Sequence, residues 1–172
     1  MIKVCLADNH PVTHFGVKSY FKDHDQISIV ANVGNFSMVK DILQTKEVDI
    51  LILDLELEGL SSIFEVKSIL KSFPKTKIVI FSDLAEQMYA PNAIKAGVSG
   101  YVHKTEKLET LGISIVKVHE GKIIINETVR KNMALIAKQS KSERLYRKLS
   151  NREVEVLRYL SDGKKNNEIS KI

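Results

Sequence analysis

The sequence predicts an α/β fold in which a five-stranded parallel sheet is covered by helices on both faces. Apolar runs of strand length alternate five times with segments of helical periodicity between residues 2 and 121. One run, Ile50 to Leu53, has no polar side chain, which is typical of a strand buried on both faces. Because alternating strands and helices build parallel sheets, the five strands should end at one common edge.

Local features of the sequence support the predicted elements, taken here in chain order. The predicted strands are residues 2–6, 27–33, 48–54, 77–81 and 100–102, and the predicted helices are residues 12–21, 35–45, 63–73, 88–96 and 108–118. Pro11 suits the first turn of the first helix, where its missing N–H is not needed. Pro74 stops the third helix, and Gly97 and Gly121 end the fourth and fifth.

Polar side chains stand where four of these strands end. Asp8 and Asn9 follow the first strand, Asp54 ends the third, Ser82 the fourth, and Lys104 follows the fifth. In open α/β sheets, ligands bind at the carboxyl ends of the strands. A carboxylate there can attack a phosphoryl group and form an acyl phosphate, provided that cations neutralise the transferred charge. We therefore predict that Asp54 is a phosphoacceptor.

The same strand ends offer ligands for a divalent cation. Magnesium prefers hard oxygen ligands. The predicted ligands are the side chains of Asp8, Asn9 and Asp54 and the backbone carbonyl of Glu56. Lys104 and Ser82 are predicted to bind the oxygens of the phosphoryl group.

These residues belong to longer motifs that resemble the receiver domain of bacterial response regulators of the NarL/LuxR (FixJ) type. The motifs are Ala7-Asp8-Asn9-His10-Pro11 with Gly16, Leu53-Asp54-Leu55 with Gly59, Ile80-Phe81-Ser82, Ala96-Gly97-Val98-Ser99-Gly100-Tyr101, and Lys104. The resemblance implies a flavodoxin/CheY-like fold and phosphorylation of Asp54 by a sensor histidine kinase or a small phosphodonor. It also implies that Ser82 and Tyr101 form the switch pair that reports phosphorylation.

Two positions depart from the family pattern. Relatives usually have an acidic residue where this chain has Asn9, and an amide oxygen is a weaker magnesium ligand than a carboxylate. We therefore expect weak binding of Mg²⁺ and weak phosphorylation. Glu56 is either a solvated loop carboxylate or a replacement for the missing charge. His10 is expected beside the site, either at the surface or in contact with the site residues, and the resemblance assigns no chemistry to its position.

The charge of the chain is divided unevenly. Residues 1–121 hold 13 lysines and no arginine against 15 Asp and Glu, whereas residues 122–172 hold 13 Lys and Arg against 6 Asp and Glu. A basic segment that carries all the arginines favours nucleic acid or another acidic surface as its partner. A solubilising helical surface is the alternative.

Three regions are predicted. Residues 1–121 form the receiver, residues 122–148 a partly helical linker, and residues 149–172 the first part of a helix-turn-helix domain. The motif residues that resemble a LuxR-type helix-turn-helix are Leu149-Ser150, Arg152-Glu153, Glu155-Val156-Leu157, Gly163, Asn166 and Glu168-Ile169. The helix that would enter the major groove is expected after Ile172 in a longer regulator. Arg152, Lys164 and Lys165 can at most contact phosphates.

Three functions compete. The first is a DNA-binding response regulator that controls transcription and is switched at Asp54. The second is an atypical regulator that acts through dimerisation without phosphorylation, as Asn9 suggests. The third is a phosphatase of the haloacid dehalogenase type. Such an enzyme carries its nucleophile on the first strand with an aspartate two residues later, whereas here two βα units precede Asp54 and Glu56 follows it.

The remaining expectations concern partners and location. We expect a homodimer with DNA as a partner of the full-length protein, and no enzymatic activity beyond slow self-dephosphorylation. The helices at 12–21 and 108–118 are both candidates for the dimer face. A single cysteine, Cys5, favours a cytoplasmic location, and no apolar run approaches the length of a membrane span.

Overall fold

The computed structural model describes residues 1–138. Met1–Arg130 form one compact unit, and the chain from Lys131 onward belongs to a second. The strands are β1 (Ile2–Ala7), β2 (Ile27–Val33), β3 (Ile50–Leu53), β4 (Lys77–Ser82) and β5 (Gly100–His103). They form one sheet in the order β2-β1-β3-β4-β5, with every pair of neighbours parallel. The predicted five-stranded parallel sheet is therefore confirmed.

Six helices connect or follow the strands in residues 1–138. They are α1 (Pro11–Tyr20), α2 (Ser37–Thr45), α3 (Ile63–Ser72), α4 (Glu86–Ala96), α5 (Leu108–His119) and α6 (Glu127–Lys138). None of the helices in this part of the chain is long and apolar enough to cross a membrane. The predicted helix-turn-helix, with Arg152, Lys164 and Lys165, lies outside the described residues.

The core consists mainly of the central strands and the helices that cover them. All four residues of β3 are fully buried, and burial of each such side chain contributes about 2 kcal/mol. Val17 of α1 and Ile115 of α5 belong to the same core cluster as Ile50 and Ile52. Cys5 is fully buried in β1, and burial raises the pKa of its thiol to about 12. Cys5 is therefore a core residue and not a reactive thiol.

Local side-chain contacts move some helix ends away from their predicted positions. α2 begins two residues later than predicted, because the Asn35 side chain accepts a hydrogen bond from the Ser37 N–H at 2.9 Å and extends the turn. α3 begins at Ile63 as predicted, where Ser62 and Glu65 form a capping box. α4 begins at Glu86, two residues before its predicted start, and ends at Gly97, whose φ of 108° suits glycine.

The sheet register brings the strand ends together. Ala7 of β1 pairs with Leu53 of β3, so the next residues, Asp8 and Asp54, follow side by side. The Asp54 N–H donates to the Ala7 carbonyl at 2.9 Å, which extends this alignment by one residue. On the other side, the Lys104 N–H donates to the carbonyl of Ser82 at 3.0 Å. All the predicted site residues that follow strands therefore lie at one edge of the sheet.

The segment between α5 and α6 returns to β5. The Tyr101 N–H donates to the Ile124 carbonyl at 2.8 Å, and the Ile124 N–H donates to the Ser99 carbonyl at 2.9 Å. Residue 124 thus forms an isolated parallel bridge with Gly100. The predicted domain boundaries at residues 121 and 148 remain a prediction.

Candidate functional site

The three strand-end residues Asp8, Asp54 and Ser82 form the same local turn. In each case a side-chain oxygen lies near the backbone N–H two residues later: His10 N–H to Asp8 Oδ1 at 2.7 Å, Glu56 N–H to Asp54 Oδ1 at 3.2 Å, and Leu84 N–H to Ser82 Oγ at 3.4 Å. Such turns fix the side chain against its own backbone. Repeated at three strand ends, they hold two carboxylates and one hydroxyl at the carboxyl edge of the sheet.

A single lysine joins the two carboxylates. Lys104 Nζ lies 2.7 Å from Asp54 Oδ2 and 2.8 Å from Asp8 Oδ2. Asp8 is fully buried, Asp54 is 1% exposed, and the Lys104 side chain is 10% exposed. Two buried carboxylates therefore share one ammonium group, which leaves an excess of negative charge at the site. Such an excess favours the binding of a cation.

The contacts keep these groups charged. Burial lowers the pKa of Lys104, but its hydrogen bonds to Asp54 and Asp8 outweigh burial, so the pKa lies above its ordinary value. Burial raises the pKa of the Asp8 carboxyl, but the Lys104 ammonium and the hydrogen bonds from His10 outweigh it, and that pKa is lowered. Lys104 thus remains cationic and Asp8 anionic at neutral pH.

His10 lies beside the site, as the sequence predicts. Its Nδ1 is 2.9 Å from Asp8 Oδ1, 3.8 Å from Asp54 Oδ2 and 3.4 Å from Lys104 Nζ. Half of its side chain is exposed. Its ring nonetheless contacts the carboxylates. Its position two residues after Asp8, where the His10 N–H closes the turn, accounts for this contact.

The site has oxygen donors that fit a divalent cation. One ligand atom each from Asp8, His10 and Asp54 lies within 4.8 Å of the others. Asp8 Oδ2 is buried, and within the described residues it contacts the ammonium of Lys104 at 2.8 Å. Because the same ammonium also pairs with Asp54, the two buried carboxylates lack a second counterion. Two convergent carboxylates are the donor set that magnesium and similar cations take.

The structure gives less support for two of the predicted metal ligands, Asn9 and Glu56. The Asn9 side chain is exposed and forms no hydrogen bond within residues 1–138. Glu56 is exposed as well, and its contact with the site is the backbone N–H that donates to Asp54. Ligation by Asn9 and by the Glu56 carbonyl remains a prediction.

The predicted switch residues Ser82 and Tyr101 are both buried. Tyr101 is 2% exposed, and its hydroxyl donates to the Leu84 carbonyl at 2.8 Å. Burial raises the pKa of the Tyr101 hydroxyl well above its usual value, so it stays protonated and can donate. Leu84 therefore connects the two residues, because its N–H faces Ser82 and its carbonyl faces Tyr101.

The chain matches two protein families. The model of the response regulator receiver domain matches residues 4–116, and that of the bacterial regulatory proteins of the luxR family matches residues 147–172. A curated relative, the fimbriae Z protein of Salmonella typhimurium, is 31% identical over 168 residues, which cover 97% of this chain and 79% of that protein.

Solved structures share the fold. One is RcsB from Salmonella enterica serovar Typhimurium bound to promoter rprA with the phosphomimetic BeF3−, with a TM-score of 0.72 and 23% identity over 99% of this chain and 82% of that one. A second, described as two RcsB dimers bound to two parallel DNAs, has a TM-score of 0.74 and 23% identity over 99% of this chain and 81% of that one.

Proposed function

The chain belongs to the bacterial response regulators that combine a receiver domain with a LuxR-type DNA-binding domain, and we propose that Asp54 is the residue whose phosphorylation switches it. Proteins of this class are transcription regulators of two-component systems and not typical enzymes. The observation that carries the proposal is the position of Asp54, which is buried at the end of β3 with Lys104 Nζ 2.7 Å from its Oδ2.

The chemistry is a displacement at phosphorus. A carboxylate oxygen of Asp54 attacks the phosphoryl group, an O–P bond forms, and the P–N bond to a histidine of the sensor kinase breaks. The imidazole leaves with the electron pair of that bond. Lys104 then pairs with an oxygen of the phosphoryl group, and the Ser82 hydroxyl donates a hydrogen bond to another. Both groups already lie at the strand ends next to Asp54.

Asp8 and Asp54 would hold a divalent cation, proposed to be Mg²⁺, with Asn9 and the Glu56 carbonyl as further oxygen donors. The cation would neutralise charge on the transferred group. The two buried carboxylates that share the single ammonium of Lys104 support this proposal. Since an amide stands at position 9 where relatives carry an acid, the affinity for Mg²⁺ is proposed to be weak.

The proposed partners follow from the class of protein. A sensor histidine kinase supplies the phosphoryl group, and the full-length protein binds DNA as a homodimer, with RcsB dimers on DNA as the precedent. Because such a regulator acts on chromosomal DNA, the cytoplasm is the proposed location. Ser82 and Tyr101 are the proposed switch pair. The domain boundaries are proposed at residues 121 and 148.

A second candidate function keeps the DNA-binding role without phosphorylation. It is favoured by Asn9, whose exposed amide replaces an acid and forms no hydrogen bond within the described part of the chain. In that case the receiver would act through dimerisation alone. The phosphatase alternative has less support, because Asp54 follows the third strand and is followed two residues later by Glu56.

Phosphorylation with acetyl phosphate and Mg²⁺ separates these functions. We expect the intact mass of the full chain to rise by one phosphoryl group, and Asp54→Asn to abolish the rise. Asp49→Asn is the matched control, because Asp49 precedes the same strand at its opposite end and should leave phosphorylation unchanged. No incorporation into the wild-type chain would favour the atypical regulator. Incorporation that persists in Asp54→Asn would contradict Asp54 as the acceptor.

A further inference from the structure

We propose that hydrogen bonds between Glu86 and Asn126, here named the Glu86–Asn126 clamp, couple the phosphoryl site to the first turn of α6. Glu86 is the first residue of α4, and Asn126 immediately precedes α6. In the chain, α6 is the helix between the receiver and the LuxR-type segment at residues 147–172. The inference rests on the proposed phosphorylation of Asp54 and adds a route by which it is transmitted.

The clamp is a bidentate contact between the buried carboxylate of Glu86 and the exposed Asn126. Glu86 Oε1 accepts the backbone N–H of Asn126 at 2.7 Å, and Glu86 Oε2 accepts its side-chain Nδ2 at 2.7 Å. Glu86 is only 8% exposed, although it carries a carboxylate. Hydrogen bonds to a charged group are stronger than neutral ones, and a buried carboxylate that loses both partners is destabilised. Glu86 and Asn126 therefore hold each other in position.

Asn126 also forms the start of α6. Its Oδ1 accepts the Val129 N–H at 2.8 Å, and its carbonyl accepts the Arg130 N–H at 3.1 Å. The oxygen of the amide thus caps α6 while the nitrogen binds Glu86. Because one planar group serves both contacts, loss of the clamp allows the amide to turn and weakens the cap. The order of the first turn of α6 therefore depends on Glu86.

At the phosphoryl site, the proposed coupling starts with Ser82. Leu84, two residues before Glu86, directs its N–H to Ser82 Oγ at 3.4 Å and its carbonyl to the Tyr101 hydroxyl at 2.8 Å. A Ser82 side chain that rotates about χ1 toward a phosphoryl group on Asp54 moves its oxygen away from the Leu84 N–H. The loop of residues 83–85 can then shift, and it carries Glu86 with it.

Tyr101 provides a second link between the same two places. Its side chain holds the Leu84 carbonyl, and its backbone N–H holds the Ile124 carbonyl two residues before Asn126. A cavity of about 230 Å³ is lined by Glu86, Tyr101 and Asn126 among others. This space lets the side chains rearrange without moving the core. Tyr101 therefore contacts both the loop after Ser82 and the segment that leads to Asn126.

Amide hydrogen exchange of the full chain tests the coupling, with and without beryllofluoride and Mg²⁺. In the wild-type chain we expect exchange at Val129 and Arg130 to become roughly tenfold faster when beryllofluoride binds, since Asn126 loses two hydrogen bonds to the buried carboxylate of Glu86. Glu86→Ala should show this faster exchange already without beryllofluoride, and beryllofluoride should then change it less than about twofold. Glu86→Gln keeps the shape and one acceptor oxygen and should be intermediate.

Glu106→Ala is the matched control. Glu106 lines the same cavity, is exposed, and forms no side-chain hydrogen bond within the described residues, so this variant should behave as the wild type. Exchange in α6 that is equal in Glu86→Ala and wild type would overturn the inference. So would a wild-type response at Ser82 and Tyr101 with none at Val129, and that result would leave the proposed function intact. If no residue responds and acetyl phosphate is not incorporated, the proposed function fails and the coupling fails with it.

Discussion

Two aspartates bracket β3, and their surroundings differ. Asp49 precedes the strand and is partly exposed; its Oδ2 accepts the Lys3 N–H at 2.8 Å, and its own N–H donates to the Lys3 carbonyl at 2.8 Å. Asp54 follows the strand and is 1% exposed. Its partners are the ammonium of Lys104 and the N–H of Glu56. The same residue type therefore meets a neutral backbone at one end and a charged group at the other.

The surroundings of the two aspartates reflect a difference in buried charge between the amino edge and the carboxyl edge of the sheet. At the amino edge, Asp49 closes the ladder between β1 and β3, and Lys3 pairs with exposed Glu47. At the carboxyl edge, Asp8 and Asp54 share Lys104, and one negative charge is left over. Residue identity does not distinguish the two edges. The excess of buried negative charge does, because two buried carboxylates that share one ammonium favour the binding of a further cation.

The largest expected effect comes from removing the lysine at the carboxyl edge. Lys104→Met should lower the free energy of unfolding by about 3 kcal/mol without divalent cations, since two buried carboxylates lose their ammonium. Lys3→Met at the amino edge should change the free energy of unfolding far less, because its ion pair with Glu47 is exposed. Urea unfolding measures both.

Magnesium sharpens this test. The cation should recover part of the stability lost in Lys104→Met, because it can neutralise the same two carboxylates, and it should stabilise Lys3→Met only as much as the wild-type chain. Equal losses in the two variants, or no recovery with Mg²⁺, would mean that the two edges do not differ in the way described.

The next largest expected effect is that substitutions of the two aspartates change the free energy of unfolding in opposite directions. Asp49→Ala should destabilise the fold by about 1 kcal/mol, because the Lys3 N–H loses its acceptor. Asp54→Asn should stabilise it by about 1 kcal/mol without Mg²⁺, since it removes one of two neighbouring buried carboxylates and leaves Lys104 paired with Asp8. Urea titrations at neutral pH compare the two variants. Destabilisation by both would contradict a functional excess of charge at the carboxyl edge.

The residues at the strand ends could be predicted because topology alone brings them together. Once five parallel strands were assigned, Asp8, Asp54 and Lys104 had to share an edge, and the structure confirms that they contact one another. The resemblance to a receiver domain added the proposed roles of Ser82 and Tyr101. Helix ends such as that of α2 were less predictable, since they depend on whether a side chain such as Asn35 prolongs a turn.

Contacts between distant segments could not be predicted from the sequence. His10 contributes its ring to the site because the turn after Asp8 directs it there, whereas the sequence left open whether it lies at the surface or contacts the site residues. Glu86 and Asn126 are 40 residues apart and follow no motif, and their contact depends on how the segment after α5 returns to β5. Periodicity identifies the elements but not the side chains that hold them together.

The smallest expected effect concerns position 9 at the carboxyl edge, where this chain has an amide in place of the acid that relatives usually carry. Asn9→Asp adds a carboxylate beside Asp8 and should tighten Mg²⁺ binding roughly fivefold, because an anionic oxygen replaces a neutral one. Gln44→Glu adds the same charge at an exposed position near the amino edge and should leave Mg²⁺ binding unchanged. Calorimetric titration with Mg²⁺ compares the two variants. If both tighten binding equally, the cation responds to net charge alone. If only Asn9→Asp does so, the local carboxylates of the edge determine the affinity, and position 9 limits it in this chain.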